Sequence, residues 1–237
     1  MTKTLPPNVI RLAKTPLSEQ AYEELKRQIL DQTLKPGQRL NIDALSRACG
    51  ISSSPLREAL TRLGAEGLVA FTANTGFAVA PVPDANHMRQ LMEFRLLIEM
   101  HCARQGSGDA EAAGLMRESI RAMVALRKKG SSYRHYRQYI ELEQSFHQAL
   151  VDSARNEPMS AAWRELHMII VVARLSIVPN SDTLGSEAAL TEHGRIVDAF
   201  EAGDGDAAAE AVRLHLGGAS SRLRLGAESD GGLKTAS

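Results

Sequence analysis

Residues 34–69, LKPGQRLNIDALSRACGISSSPLREALTRLGAEGLV, contain the pattern that decides the fold of the N-terminal part. Asn41 is a favourable N-cap for a short helix, and Gly50 is a favourable residue to end it. Ser54 followed by Pro55 signals the start of a second helix, because a proline at the first helical position loses no needed N–H. The stretch therefore predicts two short helices joined by a tight turn.

The segments on either side complete this unit. Upstream, apolar residues recur at helical spacing, and Ser18 is the predicted N-cap of that helix. The Pro36-Gly37 pair predicts a turn after it. Residues 68–79, LVAFTANTGFAV, place two apolar runs around Asn-Thr-Gly and predict a hairpin. Helix, helix, tight turn, helix and hairpin make a winged helix-turn-helix over residues 17–80.

The remainder of the chain is predicted to be an all-helical bundle. Pro81 and Pro83 mark the boundary, and Gly, Pro and Asn residues separate the helical segments that follow. The apolar pattern predicts six helices and no strand, over residues 84–104, 109–129, 132–154, 158–177, 186–202 and 204–224. We therefore predict a mostly α fold, with 1–16 as a flexible arm, 17–80 as the winged helix-turn-helix, 81–83 as a linker, 84–224 as the helical domain and 225–237 as a disordered tail.

Composition and charge agree with a DNA-binding head on a helical body. Hydrophobic residues make up 43% of the chain and aromatic residues only 4%, which favours a helical core. The net charge is +0, but residues 1–80 carry ten Lys and Arg against seven Asp and Glu, while residues 81–237 carry eighteen against twenty-one. The absence of a signal peptide or membrane-length apolar run predicts a cytoplasmic protein without membrane contact. Cys49 and Cys102 are predicted to be small buried hydrophobes.

The stretch over residues 17–80 resembles the DNA-binding head of the GntR family of bacterial regulators. The matching elements are Pro36-Gly37, the PLREAL block that begins at Pro55, and the EGLV sequence before the hairpin. The resemblance implies that the helix starting near Ser54 enters the major groove of double-stranded DNA and that the wing touches the minor groove. The residues implied to contact DNA are Arg47, Ser52, Ser53, Ser54, Arg57, Arg62, Thr75 and Gly76.

Two departures from the family pattern affect the predicted operator. Asp43 and Ser53 stand where the family usually has arginine. A carboxylate at Asp43 suits a helix N-terminus but repels phosphate. We therefore expect either a variant operator or greater use of Arg47, Arg57, Arg62 and the N-terminal arm. Use of the winged helix for protein contacts is the weaker interpretation.

Four potential metal ligands lie in the helical part. Glu143 and His147 are four residues apart, so on a helix they share a face and can bind one ion. His193 and His215 each lie among apolar residues at helical spacing, which turns the rings inward. A lone inward histidine is more often a hydrogen-bonded core residue than a ligand. Four potential ligands on three helices, Glu143 and three histidines, shift the balance toward a metal and leave both interpretations open.

Residues 85–222 resemble the FCD domain of the FadR subfamily of GntR regulators, and six helices resemble its VanR-type members. The resemblance implies one divalent metal in the bundle, bound by Glu143, His147, His193 and His215. The family usually has aspartate at the first of these positions. Three imidazoles favour a borderline ion, and availability makes Zn²⁺ the expected cofactor, with Ni²⁺ and Mn²⁺ as alternatives.

An effector site is implied by the same resemblance. Arg95 and Glu99 match an Arg and Glu pair of the family, in the segment EFRLLIE. The pair implies that Arg95 points its guanidinium at the carboxylate of a bound effector, a geometry that suits arginine. The alternative is a surface ion pair at i, i+4 spacing.

Together these features predict an effector-responsive transcriptional regulator that binds a palindromic operator as a homodimer. The expected mode of regulation is repression, which a small carboxylate-bearing metabolite relieves. The alternatives are a DNA-binding dimer with a purely structural helical domain and a metal-dependent hydrolase. Against the hydrolase, the sequence has no HExxH segment and no paired Glu-x-x-His motifs. Against the structural domain, a mere dimeriser has no use for inward-facing ligands.

Overall fold

The computed structural model describes residues 15–129, 133–177 and 185–222. Within these ranges the helices are α1 Leu17–Leu30, α2 Ile42–Cys49, α3 Ser53–Ala65, α4 Ala85–Gly106, α5 Ala110–Arg127, α6 Tyr133–Asp152, α7 Glu157–Ile177, α8 Glu187–Glu201 and α9 Gly205–Arg222. The strands are β1 Arg39–Leu40, β2 Val69–Thr72 and β3 Gly76–Val79. The predicted tail at 225–237, and the predicted arm at 1–16 apart from its last two residues, lie outside the described residues.

The first three helices and the β2–β3 hairpin form the predicted winged helix-turn-helix. The Asn41 side chain accepts a hydrogen bond from the Ala44 N–H at 2.9 Å, and Gly50 ends α2 in the left-handed region with φ 66°. Both signals were expected from the sequence. The apolar face of α3 is buried in one hydrophobic cluster with α1, through Leu56, Ala59, Leu60 and Leu63.

Three local predictions in this unit are wrong. Ser18 lies inside α1, whose N-cap is Pro16 and has no side-chain cap. Helix α3 begins at Ser53, so Pro55 is its third residue rather than its first. Cys49 is exposed, because α2 is short and buries none of its residues. All three errors concern helix ends or a two-turn helix, where the apolar period is too short to locate a residue.

The wing is a three-stranded antiparallel sheet with β3 between β1 and β2. Asn74 and Gly76 have φ 65° and 81° at the hairpin turn, a conformation that glycine adopts without a Cβ clash. Phe71 and Phe77 lie opposite each other, with ring centroids 4.9 Å apart. The sequence did not predict β1, because two residues cannot show the alternation of a strand.

Helices α4 to α9 form the predicted six-helix bundle. The α5 helix packs on α6, and α4 and α8 both pack on α9. Trp163, Tyr139, Phe146 and Phe200 are fully buried in it, and Cys102 is buried as expected. Burial of such large side chains supplies much of the hydrophobic stabilisation of the bundle. None of the helices in the described ranges is long and apolar enough to cross a membrane.

Helix α7 contacts both halves of the chain. Met168 and Val172, one turn apart, are buried in the hydrophobic cluster of α1 and α3. Other residues of the same helix belong to the core of the bundle. Arg137 of α6 adds an ion pair with Asp31, the residue after α1, at 2.5 Å. A displacement of α7 therefore changes the packing of both the winged helix-turn-helix and the bundle.

Candidate functional site

Three histidines from three helices meet inside the bundle. His147 lies on α6, His193 on α8 and His215 on α9, and none is more than 3% exposed. One nitrogen from each ring lies within 4.8 Å of the other two. The ring centroids are 4.3 to 5.4 Å apart. The three rings therefore point into the bundle, as the apolar spacing of the sequence predicted.

Carboxylates orient two of the three rings, and Glu99 is the buried one of the pair. Glu99 Oε2 lies 2.8 Å from His147 Nδ1, and Glu192 Oε2 lies 2.9 Å from His215 Nδ1. A proton on Nδ1 leaves the Nε2 lone pair of each ring free to bind a cation. Neither nitrogen of His193 has a hydrogen-bond partner among the described residues, although the ring is buried. Unsatisfied buried nitrogens of this kind fit a divalent cation.

The protonation states of the histidines suit metal binding. Burial lowers the pKa of His147 to about 4, although the nearby Glu99 carboxylate opposes the shift. Burial and the neighbouring His215 lower the pKa of His193 well below its ordinary value. These two imidazoles are therefore neutral at neutral pH, which is the form that binds a metal.

Glu143, the fourth predicted ligand, is buried but engaged elsewhere. Its carboxylate forms an ion pair with Arg174 of α7, and it does not belong to the group of ligand atoms within 4.8 Å. Burial acts to raise the pKa of Glu143, but the Arg174 charge holds it below its ordinary value. The structure therefore brings the three histidines together, whereas the Glu143 carboxylate is paired with Arg174.

The Arg95 and Glu99 pair is internal. Arg95 Nε donates to Glu99 Oε1 at 2.6 Å, and Trp163 Nε1 donates to the same oxygen at 2.7 Å. The i, i+4 ion pair of the alternative interpretation is present, but Arg95 is 4% exposed and Glu99 is fully buried, so its expected surface position is wrong. Burial opposes ionisation of Glu99, but the charge of Arg95 and the hydrogen bonds from His147 and Arg95 hold its pKa well below its ordinary value. Glu99 thus also positions His147, a contact that the sequence did not predict.

Two further polar residues near the histidines were missed. His167 and Arg174 flank the apolar run from Met168 to Ala173 on α7. His167 is 1% exposed, stacks on Trp163 with a centroid distance of 4.4 Å, and has no hydrogen-bond partner among the described residues. Burial, and next the positive charge of Arg95, lower the pKa of His167 far below its ordinary value. Two polar groups bracketing the longest apolar run were the available signal.

All but one of the predicted DNA-contacting residues are exposed on the winged helix-turn-helix. Among them, exposed side chains are Arg47, Ser52, Ser53, Ser54, Arg57, Arg62 and Thr75, while Gly76 is half-buried in the wing. Arg62 differs from the others because it is tied to α1. It pairs with Glu19 at 2.6 Å and lies over the Tyr22 ring, 3.6 Å from the centroid. Asp43 is exposed in the first turn of α2, as its preference for a helix N-terminus predicts.

Comparison with known families identifies both halves. The model for bacterial regulatory proteins of the gntR family matches residues 17–79, and the FCD domain model matches residues 90–218. The chain belongs to the GntR family. Its helical bundle is an FCD domain, so the resemblance of both halves is confirmed. The finer assignment to the FadR subfamily and its VanR-type members stays a prediction.

Similar proteins are transcriptional regulators. The HTH-type transcriptional regulator YdhC of Bacillus subtilis is 26% identical over 204 residues, which cover 85% of this chain and 88% of YdhC. The probable D-xylose utilization operon transcriptional repressor of Paenarthrobacter nicotinovorans is 28% identical over 230 residues, covering 95% and 96% of the two chains. The solved structure of E. coli McbR/YncC, 18% identical, has a TM-score of 0.70 over 89% of this chain and 98% of that chain.

The family membership decides the class of function. The GntR-family chain is a DNA-binding transcriptional regulator, as are the relatives it matches. It is not an enzyme, so the alternative of a metal-dependent hydrolase is wrong. The likeness to McbR/YncC supports the shared fold of the two chains.

Proposed function

We propose that this regulator binds one divalent cation through His147, His193 and His215, binds a small carboxylate-bearing metabolite beside it, and leaves its operator when the metabolite binds. The observation that carries the proposal is the group of three buried imidazoles, two of them oriented by carboxylates. A metal-ligating histidine usually donates its second ring N–H to a carboxylate or carbonyl in this way. A purely structural bundle would gain more from apolar residues at these positions.

The donor set favours a borderline metal. Imidazole suits zinc, nickel and other first-row ions, and we choose Zn²⁺ on availability, with Ni²⁺ and Mn²⁺ as alternatives. Glu143 is the proposed fourth protein ligand, once it leaves Arg174. The carboxylate lies one turn before His147 on α6, which is the spacing that lets both reach one ion.

Charge balance favours an anionic effector. In the buried network, Arg95 pairs with Glu99 and Arg174 pairs with Glu143, so these four charges cancel. A divalent cation added to this interior leaves excess positive charge, which is costly unless an anion accompanies it. A carboxylate-bearing metabolite meets that need. Arg95 stays a predicted contact of this carboxylate, although its Nε is already donated to Glu99.

For the DNA-binding half we propose a homodimer on a palindromic operator. One winged helix covers a half-site, and a two-fold dimer presents two of them to successive major-groove faces. Repression is the preferred mode because the D-xylose relative carries the name of a repressor. Asp43 and Ser53, in place of the usual arginines, point to a variant operator.

An operator titration with and without candidate acids tests the proposal. We expect the metal-loaded protein to lose operator affinity by about 5–150-fold when the correct acid is added, the usual range of coupling between two sites. His193→Ala protein, which lacks one imidazole, should bind the operator but lose the response. His101→Ala, at an exposed position of α4, is the matched control and should respond as wild type does. An equal response in the His193→Ala protein would contradict the proposed site.

A further inference from the structure

Helix α7 carries two polar side chains that the metal site does not use. His167 and Arg174 are seven residues apart, about two helical turns, so they share one face. They enclose the apolar run from Met168 to Ala173. His167 is 1% exposed and the Arg174 side chain 18% exposed, so both lie within the bundle. Burying two such groups in the core of a helical bundle costs free energy unless they contact a ligand or a partner group.

Arg174 is held by a carboxylate that the metal also attracts. Its Nη1 donates to Glu143 Oε2, while its buried Nε has no hydrogen-bond partner among the described residues. Glu143 is the proposed fourth metal ligand, one turn before His147. A divalent cation attracts a carboxylate more strongly than a single guanidinium charge does. Tyr136 also hydrogen-bonds Arg174, so metal binding is expected to draw Glu143 away and leave the Arg174 charge without a carboxylate partner.

His167 supplies a second unsatisfied group on the same face. Neither ring nitrogen has a hydrogen-bond partner in the part of the chain that the structure describes, and the ring is held flat against Trp163. The guanidinium groups of Arg95 and Arg174 are both near enough to act on this ring electrostatically. A buried donor without a partner favours a bound ligand, and positive surroundings favour an anion.

We propose that Arg174 and His167 form the carboxylate subsite of the effector pocket, and that metal binding opens it by moving Glu143 from Arg174 to the metal. This subsite rests on the proposed metal and effector site. Two carboxylates occupy it in a defined order. In the metal-free protein, Glu143 is the internal carboxylate that fills it. Once the metal is bound, the carboxylate of the effector takes that place. Metal and acid therefore bind with positive coupling, and each raises the affinity for the other by the same factor.

Cobalt titrations of the full-length protein test the coupling. Co²⁺ serves as the metal probe through its visible absorption, acetate is the carboxylate probe, and chloride at equal ionic strength is the reference. In wild type, acetate should lower the Kd for Co²⁺ by at least about fivefold, the lower end of ordinary coupling. Arg174→Gln should bind Co²⁺ at least as tightly, since Glu143 loses its competitor, and should lose the acetate effect. Arg164→Gln, at an exposed arginine of the same helix, should behave as wild type does.

Two further variants keep the outcome decisive if Arg174→Gln does not fold. His167→Leu should keep its Co²⁺ affinity and show a weaker acetate effect. Glu143→Gln leaves Arg174 without its internal carboxylate, so acetate should raise the Tm of the metal-free variant but not of metal-free wild type. Full acetate coupling in a folded Arg174→Gln or His167→Leu protein would place acetate on the metal itself and overturn the subsite. Wild type that binds no Co²⁺ would overturn the proposed function and the subsite together.

Discussion

The winged helix-turn-helix and the FCD bundle present their candidate functional groups in opposite ways. Arg57 and the serines at the start of α3 are exposed on the surface of an apolar core. Glu99, His147 and His193 are buried inside one. A DNA duplex is a large ligand with regularly spaced charge, and exposed cations reach it directly. A metal ion or a small acid is enclosed, so the protein must hold polar groups in its interior before the ligand arrives.

The two regions differ in how much their own structure indicates about their function. An unpaired charge is costly inside a protein, and the three hydrogen-bond partners of Glu99 offset that cost for its carboxylate. An exposed arginine is well solvated whether or not it has a ligand. The function of the winged helix-turn-helix is therefore inferred from its family. In the bundle, the buried polar contacts are additional physical evidence for a ligand site.

The largest expected effect is the loss of metal from the bundle. His193→Ala should remove most of the bound metal, because one of three imidazoles disappears and the other two cannot hold the ion with the same affinity. The metal-dependent part of the stability should disappear with it, about 2.7 kcal/mol when free metal is 100 times the Kd. Elemental analysis of untagged protein and thermal unfolding with added Zn²⁺ measure both. Near-stoichiometric metal in this variant would mean that the ion does not need His193 and would contradict the proposed three-histidine site.

A smaller effect is expected at the exposed surface of the head. Arg57→Ala should weaken operator binding by about 1–3 kcal/mol if Arg57 makes a bidentate base contact, and should leave the fold stable. Arg62→Ala is the informative comparison, because Arg62 is paired with Glu19 and stacked on Tyr22. We expect that variant to lose stability more than operator affinity. Anisotropy titrations at several salt concentrations, with thermal unfolding, separate the two, and unchanged DNA binding by Arg57→Ala would remove α3 as the recognition helix.

The smallest effect on DNA binding is expected where the two regions meet. Val172→Ala removes two buried carbon groups from the cluster that α7 shares with α1 and α3, at about 0.8 kcal/mol of stability for each. Operator affinity without effector should change little, but the response to effector should weaken because α7 is less firmly joined to the head. Glu165→Ala, exposed on the same helix, is the control. A full response in the Val172→Ala protein would show that α7 does not transmit the signal.

Local patterns in the sequence determined the elements of both regions. Asn41 and Gly50 bound α2 as predicted, and the apolar spacing of α3 identified its buried face. The six helices of the bundle followed from periods of three and four residues, and the same periods turned His193 and His215 inward. Such features depend on residues within one or two turns of each other, and a helix has the same geometry wherever it packs.

Only the tertiary structure decided which polar groups meet. His147 contacts Glu99 from 48 positions away, and Trp163 reaches the same carboxylate from 64 positions away. The pairing of Glu143 with Arg174, and the burial of Val172 in the core of the head, likewise depend on how α6 and α7 cross their neighbours. Spacing along one helix specifies which side chains share a face. The identity of the facing side chains depends on the packing angle and the relative shift of two helices, which arise from the whole core.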